Sequence, residues 1–502
     1  MTPAHFPAST RRSVLGPLGA ADRVGEVERR LTDAIHMGVF ADGEQLPSET
    51  DLASQLQVST VTLREALAGL RRTGLVYTRR GRNGGTFVRA PMEEAAGRLM
   101  ARLAELSIDD LRDFGDYQAA ISTGAAGLAA ERASIQDIAR LEDHVARLAA
   151  ATTVAEQRAA DARFHIELTA SSRSLRLTRA EMDIHADLGP LTWLAIGKDG
   201  AARAVDDHRR ITAALRARDA ELAKALAEQH VRSQMEDVIA LRLSLAARGR
   251  RKLTPESCAR GVLKSLRGAL DEVYGDLAVL RAQVEKLEAA ARADGRKLQR
   301  SDLGPMRALA REHLAQRELI SGTGMIFAPG VLADAPLWLE WWHEAGGREP
   351  VPLDASLTPG DPDFYDYENA EWFTTPRDTG SPWIAGPFVD HSGTNEHIFT
   401  VSVPVAPNGE FLGVVGADVA VEQIERLAQE KLVCADGDAL LVTSRGRIVA
   451  SNSPSHLVGT RWSLLAEAAG EDPDTLAAQL PPGSVVLRDD TLMWSVVVSP
   501  SS

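Results

Sequence analysis

Asp161 and His165 stand four residues apart in a stretch rich in Ala, Leu, Arg and Glu, so a helix there presents both on one face, one turn apart. His208 and His230 follow, and Asp219 lies eleven residues from each. The run 216–219 reads as the break between the helices that carry them. If those helices fold back as an antiparallel hairpin, equal distances from the turn set the two imidazoles level. One carboxylate and three imidazoles make a ligand set for zinc, nickel or another divalent transition ion, with positions open for water or a ligand. A second group suits nucleic acid. Thr60 and Arg64, four apart, share the outward face of a short helix near its start, where a helix-turn-helix meets base edges in the major groove.

These side chains need elements to hold them. Ser48, with Asp51 three residues on, caps one short helix whose apolar side is Leu52, Ala53 and Leu56. Gln57-Val58 makes a turn and Ser59 caps the next helix, in which Leu63, Ala66, Leu67 and Leu70 repeat with helical period. Val24, Val27, Leu31, Ala34 and Ile35 stripe an earlier helix that stops at Gly38. After Gly74, 75–77 and 86–88 read as a β-hairpin wing with a glycine-rich tip. From Ala66 to Pro91 there is no acidic residue, while Arg71, Arg72, Arg79, Arg80, Arg82 and Arg89 fall inside. That is a local phosphate-binding surface in a chain whose net charge is −14.

This region, 21–91, resembles the winged helix-turn-helix of GntR-family bacterial transcription regulators, through Gly43, Leu46-Pro47-Ser48-Glu49, Leu52-Ala53, Val58-Ser59, Leu63-Arg64-Glu65-Ala66-Leu67 and Gly74-Leu75-Val76. The resemblance implies that Ser59, Thr60, Thr62 and Arg64 contact a double-stranded DNA operator, with Gly84 and Gly85 placing the wing tip. Thr50 and Thr60 stand where the family often has Arg, which alters the preferred bases at about 1–3 kcal/mol per contact.

Residues 92–250 contain a single proline, Pro190, and read as six or seven helices in an all-α bundle. Ile121, Ala125, Leu128 and Ala129 form one apolar stripe; Ile138, Leu141, Val145 and Leu148 form another. Asp161-x-x-x-His165, Asp207-His208 and a final histidine 22 residues on resemble the FCD domain of the FadR branch of the family. The resemblance implies that Asp161, His165, His208 and His230 bind metal. Gln118 and Ser122 replace the family's Arg and Glu on the first bundle helix, so a carboxylate effector lacks its guanidinium partner. A structural metal with no effector is the alternative.

From Pro255 to about Ala293 the chain is one amphipathic helix that packs on a sheet or pairs with a second copy. Beyond Leu303 lie seventeen of 24 prolines and seven of eight tryptophans, with strand-like runs between turns. Trp372-Phe373, Trp383, the run 386–390, Ser402-Val403-Pro404-Val405 and 413–418 resemble the α/β double Cache (PAS-like) sensor. The long helix 256–293 would lead into a distal module at about 300–432 and a proximal one at about 433–502. Amino-acid-binding members of that family carry a Tyr, an Arg five residues on, then Trp and Tyr, and a later Asp that meets the ligand's amine. Tyr365, Trp372, Phe373 and Asp418 match, but Ala370 occupies the arginine's place. Asp366, Glu368, Glu371 and Asp390 make the same loop acidic, so an amine-bearing or amino-acid-like effector is expected at Tyr365, Trp372, Phe373, Asp390 and Asp418.

Cys258 and Cys434 make no disulfide framework, no run of 18 apolar residues occurs, and 1–20 lacks a signal-peptide core and reads as a disordered tail. The expectation is a cytoplasmic, homodimeric, ligand-responsive transcription regulator that binds a palindromic operator and no membrane. It is not an enzyme: Asp161 and the histidines could activate water, but no general base accompanies them in a motif context. A Cache half that serves only as a dimerisation scaffold is the other alternative.

Overall fold

A computed structural model of the chain describes residues 23–36, 40, 43–81, 84–89, 95–187, 189–344, 349–361, 364–390, 393–394, 396–462, 473–489 and 491–500. The expected N-terminal tail and Arg82 lie outside the described residues. The chain divides into two compact units, Met1–Leu245 and Ala246–Ser502.

The first unit opens with α1 (Arg23–His36), α2 (Glu49–Leu56) and α3 (Thr60–Arg72), then β1 (Val76–Arg79) and β2 (Gly85–Val88). Ser48 and Ser59 cap α2 and α3, their hydroxyl oxygens accepting the backbone N–H of Asp51 and Thr62. Leu63, Ala66, Leu67 and Leu70 are buried and share one core with Val27, Leu31, Leu52 and Leu56. β1 and β2 pair antiparallel, Val76 opposite Val88 and Arg79 opposite Gly85, which makes the wing.

Among the described residues, seven helices follow: α4 (Ala95–Glu105), α5 (Ile108–Arg132), α6 (Ile135–Ala150), α7 (Val154–Ser171), α8 (Leu175–Asp187), α9 (Gly189–Arg216) and α10 (Ala220–Ala247). Ser107, Ser134 and Thr153 open α5, α6 and α7 with reciprocal capping boxes. The stripe expected on α5 is displaced: Ile121 and Leu128 are only half-buried, whereas Ser122, Ala125, Ala126, Ala129 and Ala130 are buried. Small side chains let neighbouring helices approach closely, so the larger ones are pushed to the margin. The winged helix and the bundle are continuous, because Ala162 and Ile166 of α7 and Met182 of α8 belong to the winged-helix core.

The second unit begins with α11 (Pro255–Ala293) and α12 (Gly304–Gln316). A six-stranded antiparallel sheet follows, built from β3 (Ile320–Phe327), β4 (Trp338–His343), β5 (Val351–Pro352), β6 (Trp383–Val389), β7 (His397–Val405) and β8 (Gly413–Ala420) in the order β5-β4-β3-β8-β7-β6. α13 (Glu371–Thr379) precedes β6, and α14 (Val421–Leu432) follows β8. A smaller sheet of β9 (Asp438–Val442), β10 (Ile448–Ser451), β11 (Val485–Asp489) and β12 (Trp494–Ser499) has the order β10-β9-β12-β11. The apolar stripe of α11, from Val262 to Val284, is buried in one core with Val401, Val415, Leu441 and Val496. The helix therefore packs on the sheets, as one of its two expected roles requires.

Candidate functional site

α7 carries Asp161 and His165 on successive turns, α9 carries His208 and α10 carries His230. α9 and α10 turn back at 217–219, and the His208 and His230 Nε2 atoms meet at 3.1 Å. His165 Nε2 lies 3.3 Å from His230 Nε2 and 3.7 Å from Asp161 Oδ1, which is 3.5 Å from His208 Nε2. All four residues are at most 2% exposed. Their ligand atoms lie within 4.8 Å of one another.

The surroundings fix which atoms face inward. A carboxylate accepts only, so the 3.1 Å contact of His230 Nδ1 with Asp207 Oδ2 assigns the proton to Nδ1 and turns the Nε2 lone pair on the centre. Trp193 Nε1–H donates to Asp161 Oδ2 at 2.9 Å, while Oδ1 is buried without a hydrogen-bond partner. The Phe164 ring stacks on His208 at 3.7 Å. Burial holds His165 and His208 well below the usual imidazole range and raises Asp161. A buried carboxylate oxygen without a partner, facing three imidazole nitrogens, is costly unless a cation sits among them. The donor set therefore fits a divalent transition ion.

Two residues that sequence reasoning missed adjoin this centre. Glu181 and His185, on α8, lie beside the far side of His165, and His165, Glu181 and His185 form a second buried group of metal-ligand type. Their acid-x-x-x-His spacing repeats that of Asp161 and His165, and this was the available signal. Gln118 and Ser122 are buried on α5, and the Ser122 hydroxyl donates to Glu181 Oε2 at 3.0 Å.

On the winged helix, Ser59, Thr60 and Arg64 are exposed and Thr62 is half-buried. The Ser59 and Thr62 hydroxyls lie 2.9 Å apart and the Ser59 oxygen caps α3, so this pair is partly committed to starting the helix. Arg64 Nε donates to Glu49 Oε2 at 2.6 Å, which ties its stem to α2. Arg79 and Arg80 are exposed on the wing, with the Arg79 guanidinium 5.0 Å from the Phe87 ring centre. At the tip, a Cβ on Gly84 would meet the Arg79 carbonyl oxygen at 2.6 Å, so only glycine fits there. Gly85 pairs with Arg79 at the start of β2. Val61, not singled out in the sequence, is 64% exposed. At 100° per residue it projects opposite the buried face set by Leu63, Ala66, Leu67 and Leu70, between Thr60 and Arg64 on one side and Glu65 on the other.

In the second unit, Tyr365, Trp372, Asp390 and Asp418 line one cavity of about 20 Å³, with Trp341 and Thr400 beside them. The Tyr365 and Trp372 rings stack with centres 6.4 Å apart. The Thr400 hydroxyl donates to Asp418 Oδ1 at 2.7 Å, and the Thr394 N–H donates to Asp390 Oδ2 at 3.0 Å. Burial pushes the Asp418 carboxyl up to about 8, with Asp390 and Glu396 adding to the rise. Burial and the same two aspartates also raise the Tyr365 hydroxyl. No lysine or arginine lines the cavity among the described residues. Phe373 is a correction: it is 1% exposed and packs edge-on against Tyr367, Trp372 and Phe411 instead of lining the cavity. One residue beyond Trp372 on α13, it points about 100° away, into the core.

Comparison with known proteins agrees with this layout. Residues 23–88 match the model of the bacterial regulatory proteins of the gntR family, 115–233 match the FCD domain, and 306–426 match the first PDC sensor domain of methyl-accepting chemotaxis protein-like proteins. The HTH-type transcriptional regulator RmpR of Mycobacterium gastri is 34% identical over 263 residues, 52% of this chain and 94% of the relative. LutR of Bacillus subtilis (strain 168), also an HTH-type transcriptional regulator, is 27% identical over 213 residues, 41% of this chain and 95% of the relative. The ligand-binding domain of the Campylobacter jejuni chemoreceptor Tlp3, solved with L-norvaline, is 10% identical with a TM-score of 0.32, covering 53% of this chain and 90% of that one. No helix among the described residues is long and apolar enough to cross a membrane. The chain belongs to the GntR family of transcription regulators: it is a ligand-responsive DNA-binding protein in which a winged helix and an FCD bundle are followed by a Cache-like sensor domain.

Proposed function

We propose that this regulator binds a palindromic operator as a homodimer in the cytoplasm. In this reading its bundle holds zinc or nickel on Asp161, His165, His208 and His230, and its sensor domain takes an amine-bearing effector at Tyr365, Trp372, Asp390 and Asp418. The order of winged helix and FCD bundle supports a place in the FadR branch. The observation that carries the metal reading is the convergence of three imidazole Nε2 atoms on an unpaired, buried Asp161 oxygen. The effector reading rests on a cavity with two acids, stacked rings and no lining cation. An ammonium there meets Asp418 and the faces of Tyr365 and Trp372. Because the empty cavity has room for about one water, the side chains must part to admit an effector, and binding is thereby coupled to movement.

The test is elemental analysis of the purified protein together with selection of bound fragments from genomic DNA, with and without a panel of amines, amino acids and carboxylates. No metal, or binding confined to carboxylates, refutes the corresponding part. No preference for any fragment over random duplex removes the operator reading.

A finer expectation concerns Val61. An exposed valine in the first turn of the recognition helix suits a thymine methyl in the major groove. Replacing the contacted thymine by uracil, which lacks that methyl, should weaken binding by roughly 0.8 kcal/mol, about fourfold. Val61→Ala should lose the same factor and become indifferent to the replacement. Gel-shift titration over a set of single dT-to-dU operators checks it; a Val61→Ala protein that still discriminates at every position contradicts it.

A further inference from the structure

Glu181 is fully buried and has three neighbours with chemistry. Its Oε2 accepts the Ser122 hydroxyl at 3.0 Å. Its Oε1 lies 3.2 Å from His185 Nε2 and 3.7 Å from His165 Nδ1. Oε1 and both of those ring nitrogens lack a hydrogen-bond partner, although all three are buried. Among the described residues, the contacts of Glu181 and Asp161 bring neither acid a lysine or arginine. The centre therefore holds two buried carboxyl groups and four imidazoles with no resident fixed cation.

One divalent ion among Asp161, His165, His208 and His230 resolves this arrangement. It takes the lone pair of His165 Nε2, which requires the proton of that ring on Nδ1. That N–H faces Glu181 Oε1, so drawing the ring toward the ion and the carboxylate toward the ring closes both open valences. The two positive charges of the ion balance the two carboxylates. The Ser122 hydroxyl and an Nε2–H of His185 supply the remaining donors to Glu181. Carboxylates that accept the second N–H of a ligating histidine fix its tautomer and orientation, and their loss typically weakens metal binding 10–100-fold.

We infer that Glu181, held by Ser122 and His185, is the positioning residue of the metal centre, fixing His165 as an Nε2 ligand and tying the ion to α5. This rests on the metal reading proposed above. It assigns Glu181 no direct bond to the ion.

The experiment measures zinc stoichiometry and affinity by competition with a chromophoric chelator, for the wild-type full chain, Glu181→Gln and Glu181→Asp. Thermal melting of each metal-free protein accompanies it. The expected result is one ion per chain, a 10–100-fold weaker affinity in Glu181→Gln and partial recovery in Glu181→Asp. The metal-free melting midpoint of Glu181→Gln should be no lower than wild type, because the substitution removes a buried uncompensated carboxyl. Unchanged affinity overturns the assignment. So does an equal loss of stability with and without metal, which marks a merely structural residue. Two ions per wild-type chain, falling to one in Glu181→Gln, also overturns it, since Glu181 would then be a ligand of a second ion. No ion in the wild type defeats the metal reading itself, an outcome visible before any variant is made.

Discussion

Stripping the metal from the full-length protein should lower the melting midpoint of its N-terminal unit by about 10 °C, and adding back zinc or nickel should restore it. An ion present at about 1,000 times its dissociation constant stabilises the folded state by about 4 kcal/mol. In a unit of 150–250 residues each kcal/mol moves the midpoint roughly 2–4 °C. The direction follows from the site: without the ion, Asp161 Oδ1 has no partner and three imidazole nitrogens crowd together in a pocket sealed from water. Asp161→Ala and His208→Ala should melt at one temperature with or without chelator. The loss should also reach the DNA. On α7 the proposed ligands Asp161 and His165 alternate with Ala162 and Ile166, which belong to the winged-helix core, so any shift of α7 moves the packing under the recognition helix. Scanning calorimetry and gel shifts with and without chelator read both effects. A midpoint indifferent to chelator and to added ion would remove the metal from the account.

Much of this was legible in the chain, and the reasons differ from element to element. The convergence of Asp161, His165, His208 and His230 was readable because the spacing of Asp161 and His165 is a helical period, and because equal distances from a turn align residues on antiparallel helices. Glu181 carried the same spacing, but its role depends on which nitrogen of His165 faces it, and only three dimensions show that. The stripe on α5 was misplaced because hydrophobicity was read as depth: at a close helix crossing alanine is buried and leucine is displaced. Val61 was passed over because an apolar residue in a helix reads as core, although its angular position places it opposite the core face. The sensor cavity was half visible. Tyr365, Trp372, Asp390 and Asp418 could be placed by resemblance, but Trp341 and Thr400 reach the cavity through strand order. In β3 Gly322 pairs with Asp418 and Gly324 with Trp341, while Thr400 of β7 faces Asp418 from the other side. That register is a long-range property without a local pattern.

The affinity of the sensor domain for a cationic amine should rise steeply with pH, up to tenfold per unit between pH 6 and 8, and level off above. Asp418 is the cause. Burial holds its proton on until about pH 8, yet an ammonium needs the carboxylate, so binding at neutral pH must expel that proton. An amine that stays charged through this range pays the deprotonation cost at pH 6 and escapes it at pH 8. The empty protein should show the opposite trend in stability. The folded-state value is raised above the ordinary carboxyl value of about 4, so the folded form holds the extra proton between roughly pH 4 and 8. The stability contributed by the neutral acid is complete below about pH 4 and is lost as pH rises through 8, by at most about 1.4 kcal/mol per unit. Asp418→Asn should abolish amine binding, flatten the stability profile and raise the melting midpoint of the empty protein at pH 8. Calorimetry of binding at pH 7 in buffers of different ionisation enthalpy should report about one proton released per amine bound, falling to none in Asp418→Asn for any residual binding. An affinity that is flat from pH 6 to 8 would mean that the ligand does not meet Asp418, and with it would go the case for a cationic effector.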